Sequence, residues 1–226
     1  YDHFDEEEKI TPADLVEKRA LRETYRTNIR ILKKDPCNRR AVGELLEVAQ
    51  KWNKAGKHRH KRVHIYRLAN ECIPNNAEIL FYLGREYSRM NGRLKKAESY
   101  LERAFILAPD DTDIVLALLK IYIRRSHWER ALTLLAKYPD LPNGEFDRAL
   151  IAFLRRDYAK AASIYGDILI NDPNNLRAQR GLARSLTFNR EFKAAKKEYV
   201  ALLKKSLITT LIGKSICLHE PIQIQR

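Results

Sequence analysis

Three closely spaced histidines are the residues of this sequence best placed to do chemistry. His58, His60 and His64 lie within seven residues, and imidazoles at such spacing can bind a transition metal. No carboxylate or cysteine lies between them, however, and three bases there would repel a cation. The segment therefore predicts a solvated basic loop, and we expect neither a metal nor a cofactor.

The cysteines are too few to indicate a disulfide framework. Cys37, Cys72 and Cys217 form an odd and sparse set, and the chain contains no CxxC pair. The sequence therefore predicts three free thiols, which suits a reducing compartment.

None of the common catalytic motifs is present. The sequence contains no GxGxxG, GxxxxGK[ST], HExxH or GxSxG. Its acids and bases mostly follow the spacing of a solvated helical surface, and no pair or triad of them can be nominated as a catalytic group. The sequence therefore predicts a protein that is not an enzyme.

Charge is spread unevenly along the 226 residues. The formal net charge is +14, yet residues 1–17 contain seven acids and only one base. The remainder thus holds 42 bases and 22 acids. Such a body attracts an acidic protein segment, nucleic acid or an anionic phospholipid surface. The alternative is an ordinary soluble helical surface with a basic bias.

Regularly spaced prolines mark the ends of the helices that would position these charges. Five of the eight prolines are spaced 38, 35, 30 and 34 residues apart; these are Pro36, Pro74, Pro109, Pro139 and Pro173. Proline ends the preceding helix, and an Asn or Asp after it can cap the next. A period near 34 indicates a repeat protein.

The segment 156–175 resembles a tetratricopeptide repeat. It has a small residue at Ala161, a large one at Tyr165 and the terminating Pro173. The same register extends along the chain: the small position recurs as Ala97, Ala131 and Ala195, and the large one as Leu101, Leu135 and Tyr199. Two helices approach closely only where a small residue faces the partner, and the large residue fills the adjacent gap.

The resemblance implies an all-α fold, an α-α solenoid of about five tetratricopeptide-like helical hairpins with an N-terminal capping helix. The expected divisions are an acidic leader (1–12), the capping helix (13–35), a solenoid over 39–209 made of repeats 39–76, 77–111, 112–141, 142–175 and 176–209, and a tail (210–226) of undecided structure. In the first repeat Arg62 stands where alanine is expected, which predicts looser packing or a bend. The third is four residues short.

The resemblance also implies where a partner would bind. In this family the first helix of each repeat lines a concave groove. Carried onto this chain, the groove positions are Phe81, Tyr82, Arg85, Arg89, Lys120, Arg124, Phe146, Phe153, Arg177, Arg180 and Arg184. The asparagines of the family's chaperone-type carboxylate clamp are absent. Basic flanks around an apolar middle favour a protein or peptide partner with acidic residues, and hence a non-enzymatic interaction scaffold.

Two other functions stay open. Residues 127–203 resemble the periplasmic repeat region of bacterial outer-membrane proteins such as the surface lipoprotein assembly modulators. That likeness implies a periplasmic assembly or secretion role rather than a cytoplasmic one. The third hypothesis is a binder of nucleic acid or anionic membrane through the basic body.

Overall fold

The structure, a computed structural model, describes the backbone of residues 12–216 and the side chains of residues 13–205. Within that range it is a succession of eleven helices: α1 Pro12–Lys34, α2 Arg39–Lys54, α3 Arg59–Cys72, α4 Ala77–Ser88, α5 Leu94–Leu107, α6 Thr112–Arg124, α7 Trp128–Lys137, α8 Gly144–Leu154, α9 Tyr158–Asn171, α10 Leu176–Phe188 and α11 Phe192–Ile216. The predicted all-α helical solenoid fold is confirmed. The predicted leader, apart from Pro12, lies outside the described residues, as do residues 217–226 of the tail.

Four of the helices begin with a side-chain cap that lies two residues after one of the five regularly spaced prolines. The capping residues Asn38, Asn76, Asp111 and Asn175 accept hydrogen bonds from backbone N–H groups two or three residues on, at 2.9–3.2 Å. Each such cap stabilises its helix by about 1 kcal/mol. The helix after Pro139 differs, because Asn143 precedes α8 in the left-handed region (φ 63°) without a side-chain cap.

The described residues divide into two compact units, with the boundary between Ser126 and His127. The predicted repeat 112–141 is divided by this boundary, since α6 belongs to the first unit and α7 to the second. Helix α7 has 10 residues, against 14 in α5 and α9. The four residues missing from this repeat thus remove about one turn from its second helix.

The core of the first unit forms where small residues let helices approach. Leu80, Leu83 and Leu101 are fully buried between α4 and α5. A Cβ atom added at Gly84 would lie 2.5 Å from Leu101 Cγ, so α4 and α5 meet at a distance that only glycine permits. Burying each leucine contributes about 1.5–3 kcal/mol.

The second unit repeats this arrangement with a tyrosine as the large residue. Ala149, Ala161 and Ala178 are fully buried around Tyr165, and a Cβ atom at Gly181 would lie 2.6 Å from the Tyr165 ring. Gly166, on α9, has no atom within 4 Å of such a Cβ.

These two glycines give a matched test of the packing. We expect Gly181→Ala to lower the free energy of unfolding by about 1–3 kcal/mol, because the methyl group must displace a buried ring. Gly166→Ala should instead raise it by about 0.5–1 kcal/mol, since alanine costs less entropy in a helix. Chemical denaturation followed by circular dichroism measures both. Equal effects at the two sites would contradict the close approach of α9 and α10.

The prediction of three free thiols is wrong for two of the cysteines. Cys37, in the turn between α1 and α2, forms a disulfide with Cys72 at the end of α3, with the Cα atoms 5.3 Å apart. The two residues are 35 positions apart, close to one repeat length, and a solenoid places such positions side by side. The bond ties α1 to the first hairpin.

Removing this disulfide should destabilise the first unit. A loop of this length predicts a loss of about 2–4 kcal/mol in the free energy of unfolding for Cys72→Ser, through the entropy of the unfolded chain. Differential scanning calorimetry with and without reductant measures it, and the serine variant should not respond to reductant. Thiol titration of the unfolded, unreduced protein should find one free thiol per chain, and three would contradict the bond.

Arg62 is buried in an ion pair. Its side chain is 2% exposed and that of Glu86, on α4, is 1% exposed. The guanidinium donates to both carboxylate oxygens, from Nε at 2.8 Å and from Nη2 at 3.0 Å. Its third nitrogen donates to the backbone carbonyl of Trp52, near the end of α2, and to that of Lys57 in the turn that follows. The arginine at an expected alanine position therefore fastens α3 to α4 and closes the turn between α2 and α3.

Candidate partner-binding faces

The groove positions of the first unit, Phe81, Tyr82, Arg85, Arg89, Lys120 and Arg124, are called here the first face. Three of them lie together on α4. The Arg85 guanidinium lies 5.2 Å from the centre of the Phe81 ring and 5.9 Å from that of Tyr82. Tyr82 stacks in turn on Tyr66 of α3, with ring centres 5.1 Å apart. The result is an aromatic patch with one guanidinium on it.

The other bases of the first face are placed differently. Arg124 donates to the backbone carbonyl of Ser88 at 2.6 Å, so it joins α6 to the end of α4. Arg89 lies 3.9 Å from the Glu86 carboxylate, which Arg62 already binds. Lys120 is exposed on α6 and forms no ion pair with any described residue. Arg85 and Lys120 are therefore the bases of this face best placed to meet a ligand.

Tyr66 is a member of this aromatic patch that the sequence register missed. Its side chain is fully buried, and its hydroxyl has no hydrogen-bond partner among the described residues. Burial raises the pKa of this hydroxyl, and the neighbouring Tyr82 and Glu86 raise it further. The register considers only the first helix of each repeat, whereas Tyr66 lies on α3, a second helix.

The groove positions of the second unit, Phe146, Phe153, Arg177, Arg180 and Arg184, are called the second face. Here the aromatic rings come from α8 and the arginines from α10. The Arg177 guanidinium lies 4.5 Å from the centre of the Phe146 ring, and that of Arg184 lies 4.9 Å from Phe153. Arg180 is exposed and lies between the other two arginines along α10. The structure thus brings all five positions onto adjoining helices.

More aromatic rings extend this second face. Phe153 meets Phe188 of α10 edge to face, with ring centres 5.3 Å apart. Tyr158, at the start of α9, lies 5.3 Å from both rings. Phe188 is 52% exposed, so the cluster presents an apolar ring beside the arginines. The register does not include Tyr158, because this residue begins a second helix.

The arginines of the second face form no ion pair with a carboxylate among the described residues. Among the described residues, none of Arg177, Arg180 and Arg184 forms an ion pair; Arg177 has only a long contact, 3.4 Å, to the Asn143 amide oxygen. A guanidinium stacked on a ring keeps the N–H groups of its edge available. Those groups match a carboxylate through two parallel hydrogen bonds.

The histidine segment is divided between a packed and an exposed part. His58 precedes α3 in the left-handed region (φ 56°), and its ring lies 4.6 Å from that of Trp52. Burial lowers the pKa of His58, and the charge of Lys61 and other nearby bases lowers it further. His60 and His64 are exposed on α3. No group of three potential ligands surrounds a common metal position within the described part of the chain.

Comparison with known families gives one match. Residues 88–150 match the model of the family described as tetratricopeptide repeat. No curated protein matches the sequence.

Solved structures resemble this fold at low sequence identity. A tetratricopeptide repeat protein from Parabacteroides merdae has a TM-score of 0.67 at 17% identity, covering 85% of this chain and 76% of its own. A MamA protein has a TM-score of 0.61 at 16% identity, and the match covers 81% of this chain and 98% of the MamA chain. MamA from Desulfovibrio magneticus has a TM-score of 0.63 at 12% identity, and the match covers 73% of this chain and 94% of the MamA chain. At these identities the likeness concerns the fold alone.

These comparisons agree with the tetratricopeptide resemblance and the helical fold predicted from the sequence. None of the helices among the described residues is both long and apolar enough to span a lipid bilayer. Residues 88–150 thus match the tetratricopeptide repeat family, and the successive helical hairpins share the fold of a solved tetratricopeptide repeat protein.

Proposed function

We propose that this protein is a non-enzymatic scaffold that binds a partner protein or peptide carrying acidic residues beside an apolar anchor. The observation that carries the proposal is the second face. There the guanidinium groups of Arg177 and Arg184 lie over the rings of Phe146 and Phe153, and neither forms an ion pair with a described carboxylate. The first face offers the same combination on a smaller scale, with Arg85 on Phe81 and Tyr82.

The stacking supports a ligand with carboxylates rather than a diffuse attraction for anions. A long arginine side chain loses conformational entropy when it binds, and a guanidinium already held on a ring has less to lose. The exposed Phe188 ring next to it can pack against an apolar residue of the ligand. Aromatic residues and arginine are the side chains that most often dominate the binding energy of protein interfaces.

The full chain can be tested with short fluorescent ligands. We expect a peptide with a Phe-Leu pair between two Glu-Glu pairs to bind at physiological salt, and its Gln-substituted analogue to bind at least about tenfold more weakly. Random RNA and anionic vesicles should bind only at low salt, because their attraction rests on screened charge. Fluorescence anisotropy measures all four. RNA binding that is tighter than peptide binding at physiological salt would replace this proposal with nucleic-acid recognition.

The disulfide supports a second candidate, a periplasmic scaffold of a bacterial outer-membrane assembly or secretion protein. Structural disulfides persist in oxidising compartments and are rare in the cytosol, and Cys37 and Cys72 are bonded here. Thiols alkylated during cell lysis test it. One modified cysteine per chain supports an exported protein, and three modified cysteines contradict it.

A further inference from the structure

A cavity of about 670 Å³ lies between α1 and the end of the α2 helix with the turn that follows it. Basic side chains line both of its walls: Lys18 and Arg22 from α1, and Lys51 and Lys57 from α2 and the turn. Its volume is in the range of pockets that hold small ligands. It is separate from the first face, whose residues do not line it.

The charge around this cavity is incompletely balanced. Of the two carboxylates that line it, Glu17 lies 3.3 Å from Lys51 and neutralises that base; the other is Asp14. No described residue forms an ion pair with Lys18, Arg22 or Lys57. Excess positive charge in a partly enclosed space attracts an anionic group.

The pKa of His58, at the wall of the cavity, is affected by the same positive charges. His58 lines the cavity beside Trp52, and burial together with the charges of Lys61, Arg22, Lys57 and Arg62 lowers its pKa. Four bases therefore act on one ring at the cavity wall.

The floor of the cavity is apolar and aromatic. Leu21 of α1 and Trp52 of α2 line it, and the Trp52 ring lies 5.4 Å from that of Tyr25. The ammonium group of Lys61 lies over both rings, 5.3 Å from the centre of Tyr25 and 5.7 Å from that of Trp52. A ligand for this site should therefore combine carboxylates with an apolar side chain.

We propose that the cavity is a binding site for an acidic peptide segment, and that the acidic leader of this chain, residues 1–11, occupies it. The leader carries five carboxylates and one lysine, together with the aromatic residues Tyr1 and Phe4. It joins α1 at Pro12, two residues before Asp14 of the cavity wall. Eleven residues can extend roughly 36–40 Å, and a short tether gives its ligand an effective concentration in the millimolar range.

Paramagnetic broadening in the full chain tests this proposal. A nitroxide is attached at His3→Cys in a Cys217→Ser background, with the Cys37–Cys72 disulfide kept intact. The readout is the indole N–H resonance of Trp52, and the Trp128 indole in the second unit is the reference. We expect strong broadening of Trp52 at low salt and its relief near 1 M salt, where the screening length falls to about 3 Å.

Charge variants separate binding from mere proximity. Asn and Gln replacements of the five leader carboxylates keep the tether and remove the charge. Arg22→Glu with Lys57→Glu reverses the cavity, and Lys33→Glu with Lys34→Glu makes the same change in the last turn of α1, outside the cavity. We expect the ratio of bound to free leader to fall about threefold to tenfold in the first two variants, and to stay within about twofold of the unmutated chain in the third.

Three results would overturn the proposal. One is broadening of the Trp52 resonance that persists when the leader is neutral. Another is a decrease in broadening that is equally large in the cavity variant and in the Lys33/Lys34 variant. The third comes from mixing spin-labelled chains with isotope-labelled chains that carry no nitroxide. Broadening in the latter would make the occupant the leader of a second copy.

Discussion

Replacing Arg62 by alanine is expected to lower the free energy of unfolding by about 3–5 kcal/mol. The change leaves the Glu86 carboxylate buried at 1% exposure without its partner, and a buried unpaired charge is among the most costly defects in a folded protein. It also removes the donor to the carbonyls of Trp52 and Lys57. Chemical denaturation of the full chain, monitored by circular dichroism, measures the loss.

Two matched variants identify the cause of that loss. Arg62→Met combined with Glu86→Leu removes both charges and should recover most of the stability, because apolar residues of similar size often replace a buried ion pair at little cost. Arg19→Ala breaks the exposed pair with Glu23 on α1 and should change stability by less than about 1 kcal/mol. If Arg62→Ala behaves like Arg19→Ala, the buried pair does not hold α3 to α4.

Charge reversal of the second face should strongly weaken partner binding. Truncating a dominant interface residue typically costs about 2 kcal/mol or more. Arg177→Glu, Arg180→Glu and Arg184→Glu together are therefore expected to weaken binding of an acidic partner by at least about a hundredfold. The helical circular dichroism should stay unchanged, since these arginines form no ion pair with described residues. Capture of partners from lysate, quantified by mass spectrometry, measures the effect.

The control reverses the same number of charges elsewhere on the second unit. Three lysines are exposed on α11: Lys193, Lys196 and Lys197. Replacing all three by glutamate changes the net charge by the same amount. We expect this variant to keep its partners, with only a modest decrease from the altered overall field. If both variants lose partner binding to the same extent, net charge attracts the partner, and not the arginines of the second face.

The helical framework could be predicted from the sequence because its determinants are local. A proline and the Asn or Asp two residues later mark a helix end and a cap, and four of these caps form as the pattern implies. The small and large positions also follow a fixed register. Gly84 against Leu101 and Gly181 against Tyr165 show why that register matters physically.

The disulfide and the buried ion pair could not be predicted in this way. Both join residues far apart in sequence: 35 positions separate Cys37 from Cys72, and 24 separate Arg62 from Glu86. Counting cysteines gave no pairing. A signal was nevertheless available, because a separation near one repeat length places two residues side by side in a solenoid.

The sequence register predicts which residues of a helix share one side, but it does not predict their contacts with other helices. The register selects one side of a helix, so it places Arg177, Arg180 and Arg184 on the same side of α10. Whether each guanidinium stacks on a ring or binds a backbone carbonyl depends on neighbours from other helices. Arg184 therefore lies on Phe153, whereas Arg124 is engaged with Ser88.

The central claim is that a partner contacts the second face, and site-directed photo-crosslinking tests it most directly. A photoreactive phenylalanine is introduced at Phe188, an exposed ring beside the arginines, and in a control chain at Ile170, 77% exposed on α9. We predict that the partner crosslinks through Phe188, that the crosslinked segment contains Asp or Glu next to an apolar residue, and that Ile170 gives little product. Crosslinking through Ile170 but not through Phe188 would contradict the account.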